Sequence, residues 1–172
     1  MKTIAFVGEN NDKVFKSNLL DLVGDLGLEY KDISRDVLYD EKYSDYIIIN
    51  SYVDTKSIRL NCGYCLANMD NLFKNHISIH GNLITYGFGA KNTVTISSVE
   101  NEEFVYCLQR CINISNSQGI EPQEIPVAIE FQQQKELYLY MTAITICLIE
   151  NVNIKKVIEK KSRKYLSTTN NF

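Results

Sequence analysis

The chain has 172 residues, 45% hydrophobic and 23% charged, with a net charge of −3. That length suits one domain with a core of its own, and so small a negative charge excludes a global attraction to nucleic acid. No run of about eighteen apolar residues is present to cross a bilayer, and the first residues lack an apolar stretch ending in a small-residue cleavage site, so a cytoplasmic protein without membrane contact is expected.

In chain order, Thr3 to Val7 predicts a first strand. Gly8 turns the chain, and a helix follows in which Phe15, Leu19, Leu22, Val23 and Leu26 share one stripe before Gly27 ends it. A short strand is expected near Glu29 to Ile33, then a stronger one at Tyr46-Ile47-Ile48-Ile49-Asn50, whose unbroken apolar run suits a strand covered on both faces. Tyr64 to Asn68, Leu83 to Tyr86 and Thr93 to Ser97 add three more.

Glu103 to Ile112 and Ile125 to Phe131 read as the arms of an antiparallel pair, because the second alternates while residues 113–119 are rich in turn formers. Two C-terminal helices are predicted, Leu137 to Glu150 and Ile154 to Lys164, and the last residues should fray. The alternation of strands and helices implies an α/β fold: a mostly parallel sheet with helices on its faces, an antiparallel hairpin and C-terminal helices. Residues 1–172 form one domain in this reading, with no linker, low-complexity tract or internal repeat.

The five cysteines are expected as reduced thiols. Cys62-x-x-Cys65 with Cys107-x-x-x-Cys111 has zinc-compatible spacing, but Cys65 and Cys107 sit in apolar runs where a thiol simply packs. His76 and His80 stand four apart with no third ligand in view. The basic run from Lys155 to Lys164 reads as the solvated face of a last helix. Abundant Ile, Asn and Lys point to an AT-rich bacterial genome.

The stretch Ile4-Ala5-Phe6-Val7-Gly8-Glu9-Asn10-Asn11-Asp12-Lys13 begins like a phosphate loop. Such a loop turns backbone N–H groups toward the anion with glycines, neutralises charge with a lysine, and holds magnesium through the hydroxyl that follows. Here Gly8 and Lys13 are in place, Asn11 and Asp12 stand where a second glycine is wanted, and Val14 and Phe15 follow the lysine.

With its Leu-rich helix, this layout resembles the opening of the ATP-binding central domain of the Mur ligase family. Ser51-Tyr52-Val53-Asp54-Thr55 is similar to the family's Asp-His element near magnesium, with Asp54 in the acidic place and Thr55 in that of the histidine. Cys65-Leu66-Ala67-Asn68-Met69-Asp70-Asn71 resembles the strand ending Asn-x-Asp-Asp near the adenine pocket. Leu83 to Phe88 and the helix from Glu136 resemble later elements in order. The segment Thr55 to Cys62 is shorter than the family's, which carries a carbamylated lysine there, and the family's two flanking domains have no counterpart.

The resemblance implies residual nucleotide-binding positions at Gly8, Asn10, Lys13, Asp54, Asn68 and Asp70. The lost hydroxyl, histidine and lysine fall on the magnesium that acyl-phosphate chemistry requires. The expectation is therefore a non-catalytic domain with no metal and no cofactor, ATP and magnesium being disfavoured. It would act as a binding or interaction module toward a protein partner or a second copy of itself, with no nucleic-acid partner. The other reading is a nucleotide-binding protein or weak ATP-dependent enzyme that uses Lys13 and the Asn68/Asp70 pocket.

Overall fold

Alternation after Met1 forms β1 (Lys2–Phe6), which sends Ile4 to one face of a sheet and Ala5, with Val7 beyond it, to the other. The structure, a computed structural model, describes residues 1–8, 13–24, 30–32, 42–51, 57–71, 76–100, 103–114 and 119–155. Most of the expected helix Ile154 to Lys164 lies outside them.

Within the described residues β1 is followed by α1 (Lys13–Gly24), β2 (Tyr30–Asp32), β3 (Ser44–Ile49), β4 (Ser57–Asn68) and β5 (His76–Tyr86). Then come β6 (Val94–Glu100), β7 (Glu103–Leu108), β8 (Gln123–Ala128) and α2 (Gln134–Ile149). The strands form one mixed sheet in the order β2-β1-β3-β4-β5-β6-β7-β8. Pairing is parallel from β2 to β6. It is antiparallel from β6 to β8, where the expected hairpin gains β6 as a third member.

Helices were expected on both faces. Among the described residues both pack on one face, where Leu19, Leu22 and Val23 of α1 and nearly all of α2 join Ile4, Tyr46, Ile48, Leu66, Ile84 and Tyr86 in one core. The reason lies in the connections. The links from β3 to β4, β4 to β5 and β5 to β6 (50–56, 69–75 and 87–93) have seven residues each, and a crossover that carries a helix takes a dozen or more. A straight strand of twelve residues, the length of β4, would run about 36 Å, whereas a seven-residue link reaches back about 28 Å at most. The strands must bend.

The bend leaves its mark on the side chains. Register between β4 and β5 breaks between Asn61 and Tyr64. Ile58 and Leu60 are buried before the break, Cys62 within it and Cys65 and Ala67 after it, and all five join Ala5, Val7, Ile47 and Ile49 in a second apolar cluster. An even-numbered set and an odd-numbered set thus point into the same space, which a straight strand cannot achieve. The first arms of β4 and β5 fold back over the face that the helices leave open, with Ile77 and Ile79 packing from β5.

Gly81 makes the corner possible: its φ is +153°, and a Cβ there would overlap the Cys62 carbonyl oxygen. Tyr46 pairs with Tyr64, and Tyr64 with Asn82, so successive rungs are eighteen residues long. No internal repeat is expected from residue identity, because little beyond Tyr46/Tyr64, Asn50/Asn68 and Gly63/Gly81 recurs.

α2 is apolar nearly all round, as a fully covered helix must be. Its threonines are satisfied internally: Thr142 and Thr145 donate to the carbonyls of Tyr138 (2.9 Å) and Met141 (2.6 Å). The helix ends where Asn151 takes a left-handed φ of 54° and Val152 N–H donates to Cys147 O at 2.9 Å. Here Glu150 accepts from Lys2 Nζ and from the Tyr46 hydroxyl, which ties the starts of β1 and β3 to the end of α2. Tyr46 also stacks on Tyr64 with centroids 5.6 Å apart. No helix among the described residues is long and apolar enough to cross a membrane.

Gly81→Ala is expected to lower unfolding stability in urea by about 1–3 kcal/mol, through left-handed strain plus the carbonyl clash. Gly24→Ala, where an added Cβ meets nothing within 4 Å, should be neutral or stabilising by up to about 1 kcal/mol.

Candidate functional site

β1 has its sequence neighbour β2 on one side and β3 on the other, so the crevice beyond their C-terminal ends is the switch point where ligands of open α/β sheets bind. A cleft of about 390 Å³ opens there. Val14, Phe15 and Asn18 of α1 form one wall, Asn50 and Ser51 after β3 and Asn71 after β4 form the floor, and Gln133, Lys135, Glu136, Tyr138 and Leu139 at the start of α2 form the other wall.

Behind the floor lies a ladder of strand-end polar groups. Asn50 Oδ1 accepts from Asn68 Nδ2 at 3.1 Å and from the Tyr86 hydroxyl at 2.7 Å, and the Asn50 carbonyl accepts from the Asn71 amide. Asn68 is fully buried, and its own Oδ1 accepts the Asp70 N–H at 3.0 Å, closing a side-chain-to-backbone turn. Asp70 Oδ2 then accepts from Phe88 N–H (2.7 Å) and from the Tyr138 hydroxyl (3.0 Å). The Tyr138 ring lies 5.3 Å from Phe88 and 6.3 Å from Tyr86, centroid to centroid.

Burial first, and then the hydrogen bond to Asp70, push the Tyr138 hydroxyl up to about 12. Burial raises Tyr30, Tyr46 and Tyr106 as well.

Of the residues the resemblance marked, the structure joins Asn68 and Asp70 in this ladder. Gly8 closes β1 with φ +141°, and a Cβ there would collide with Ser51 Oγ, so its lack of a side chain admits the β3–β4 turn. Ser51 Oγ itself is buried with no hydrogen-bond partner among the described residues. Lys13 is the exposed first residue of α1 and does not line the cleft. Asn10 and Asp54 lie outside the described residues.

The expected hydroxyl position after the lysine is Val14, a cleft wall residue 72% exposed. Sequence reasoning missed Asn50, Tyr86 and Tyr138 as members of the site. For the first two a signal existed: Asn50, Asn68 and Tyr86 fall eighteen residues apart at the ends of successive strands.

The cysteines are free, and those of the zinc-compatible set are dispersed. Cys62 and Cys65 are buried in the second cluster, whereas Cys107 and Cys111 donate to Glu124 (3.8 Å) and Glu121 (3.2 Å). Among the described residues no three His, Cys, Asp or Glu side chains gather as metal ligands. His76 and His80 lie on strand β5 rather than a helix, where four residues span about 13 Å.

No protein-family model and no curated protein matches the sequence. Among solved structures the chain is similar to MurF from Acinetobacter baumannii, with a TM-score of 0.52 and 10% identity, over 93% of this chain and 45% of that one. The chain thus spans less than half the length of that neighbour. At this identity the likeness bears on the fold alone, and there it agrees with the Mur-ligase-like fold that the ordered motifs imply.

The alkaline loss of stability is expected to begin near pH 9 with the unfolded thiols, since burial pushes the Cys147 thiol up to about 12. The tyrosine share of it begins at about pH 10, where unfolded tyrosines titrate. Stability should keep falling as pH climbs through about 12, since the raised tyrosines keep their protons only while folded. Tyr138→Phe should shrink the tyrosine share in a urea series taken between about pH 10 and about pH 12.

Proposed function

We propose that the chain is a non-catalytic binding module whose ligand site is the cleft between α1 and α2. The observation that carries this reading is the engagement of the polar ladder behind the floor. The oxygens of Asn50, Asn68 and Asp70 already accept from Tyr86, Asp70 N–H, Phe88 N–H and Tyr138, so these groups hold the floor in shape. What the cleft offers a ligand is the amides of Asn18 and Gln133, the Lys135 ammonium and the apolar sides of Val14, Phe15 and Leu139. A few convergent polar groups on an apolar lining suit recognition of one small polar molecule.

The residues present do not fit magnesium-bridged ATP. Magnesium is held by carboxylates, hydroxyls and phosphate oxygens. Val14 supplies hydrocarbon at the hydroxyl position, and Asp70 Oδ2, at the acidic position beside the resembled adenine pocket, already accepts two hydrogen bonds. Acyl-phosphate formation, which relies on that cation to spread charge, accordingly has no support here, and the likeness to MurF carries the fold without the ligation.

A second reading keeps nucleotide binding without the metal. It rests on Lys13 at the first position of α1, one residue before the cleft wall begins at Val14.

Titration calorimetry with ATP separates the two, with and without magnesium, on the wild type and Lys13→Ala. The binding module predicts no hydrolysis, no gain from magnesium and no response to Lys13→Ala. Affinity that Lys13→Ala abolishes would install the second reading, and tight magnesium-dependent binding with hydrolysis would displace both.

A further inference from the structure

The folded-back arms stack in register, Ile58 beside Ile77 and Leu60 beside Ile79, and the stack stops abruptly. β6 meets β5 only at Tyr86↔Val94 and then turns into its hairpin with β7. From Ile77 to Leu83 the outer edge of β5 has no strand beside it among the described residues. The rung-by-rung comparison shows what that costs. Ile58 and Leu60 are 6% and 1% exposed, while their neighbours Ile77 and Ile79 are only partly buried. Cys65 is fully covered, while its register partner Leu83 is 50% exposed. The second apolar cluster is open at this end, as in a repeat stack without a cap.

Exposed edges are normally guarded by Lys, Pro, a bulge or an inward charge. Ile77-Ser78-Ile79-His80-Gly81-Asn82-Leu83 contains no Asp, Glu, Lys, Arg or Pro. It is also self-complementary. In an antiparallel pair about a two-fold axis at Ser78, Ile77 of one copy faces Ile79 of the other on the buried side, and Ser78 faces Ser78 on the exposed side. Arg59, beside Ser78 on β4, stays one strand removed from the axis in each copy.

We propose that this edge pairs with the same edge of a second copy, giving a two-fold dimer with a continuous sheet in which each copy caps the other's open cluster. Because the contact is isologous, both edges are consumed and assembly stops at two.

Sedimentation velocity on the full chain, with hydrogen exchange of residues 77–83, tests it. The wild type should sediment as a dimer in which those 77–83 amides not bonded to β4 lose protection on dilution. Ser78→Lys sets two ammonium groups face to face at the axis, and like charges directly opposed across strands are unfavourable. Ser78 is exposed within its own copy, so the variant should keep its circular dichroism and lose little in melting to Arg59 beside it on β4, while its dimer dissociation constant rises about fivefold. Val99→Lys, at an exposed β6 site away from this edge, should leave the dimer intact.

A wild type that stays monomeric, or a dimer indifferent to Ser78→Lys, would overturn the proposal. So would protection of those same outward amides in a monomeric Ser78→Lys, which would mean that another segment of the same chain covers the edge.

Discussion

Seven-residue connections between parallel strands govern this molecule. The links 50–56 and 69–75 are too short to hold a helix or to span back along straight strands of the length of β4 and β5. Parallel pairing therefore survives only because β4 and β5 bend, and bending brings their own first halves over the face that crossover helices occupy in an ordinary doubly wound sheet. Among the described residues one face is covered by helices and the other in part by strand. The cost of bending is met locally, by the register break at residues 61–64 and by Gly81 against the Cys62 carbonyl.

From this stacking follows the order at the opposite strand ends. Rungs of equal length place chemically related groups in line, so Asn50, Asn68 and Tyr86 meet as one hydrogen-bonded column. Buried amides left unpaired would cost about 1–3 kcal/mol each. Pairing them with one another and with Tyr138 fixes the turn after β4 against α2. The cleft is the gap left above this column between two helix starts, and its shape depends on the same eighteen-residue spacing that lines up the second cluster.

The sheet is similar in fold to MurF. Where the Mur ligase resemblance implies a helical segment with a lysine after Asp54, the described residues run as the first half of β4, with Ile58 and Leu60 buried. Hydrocarbon that closes a core offers nothing to phosphate chemistry, in keeping with the binding module proposed for the crevice.

Local chemistry was sufficient for much of this. The β-branched run at Ile47–Ile49, the 3.6-residue stripe of Leu19, Leu22 and Val23, the alternation from Ile125 and the apolar stretch after Leu137 are preferences of single segments, and each formed its element near the expected place. The phase of Ile58, Leu60 and Cys62 relative to Cys65 and Ala67 could not be read that way. It depends on which strand face a residue meets after a bend, and the bend is set by the reach of a link between two strands rather than by either strand. Asn68 and Asp70 were visible as polar groups at a strand end. That they hold a floor with Asn50, Tyr86 and Tyr138 was decided by tertiary structure, because hydrogen-bond partners 18 to 68 residues apart are chosen by stacking distance and not by sequence neighbourhood.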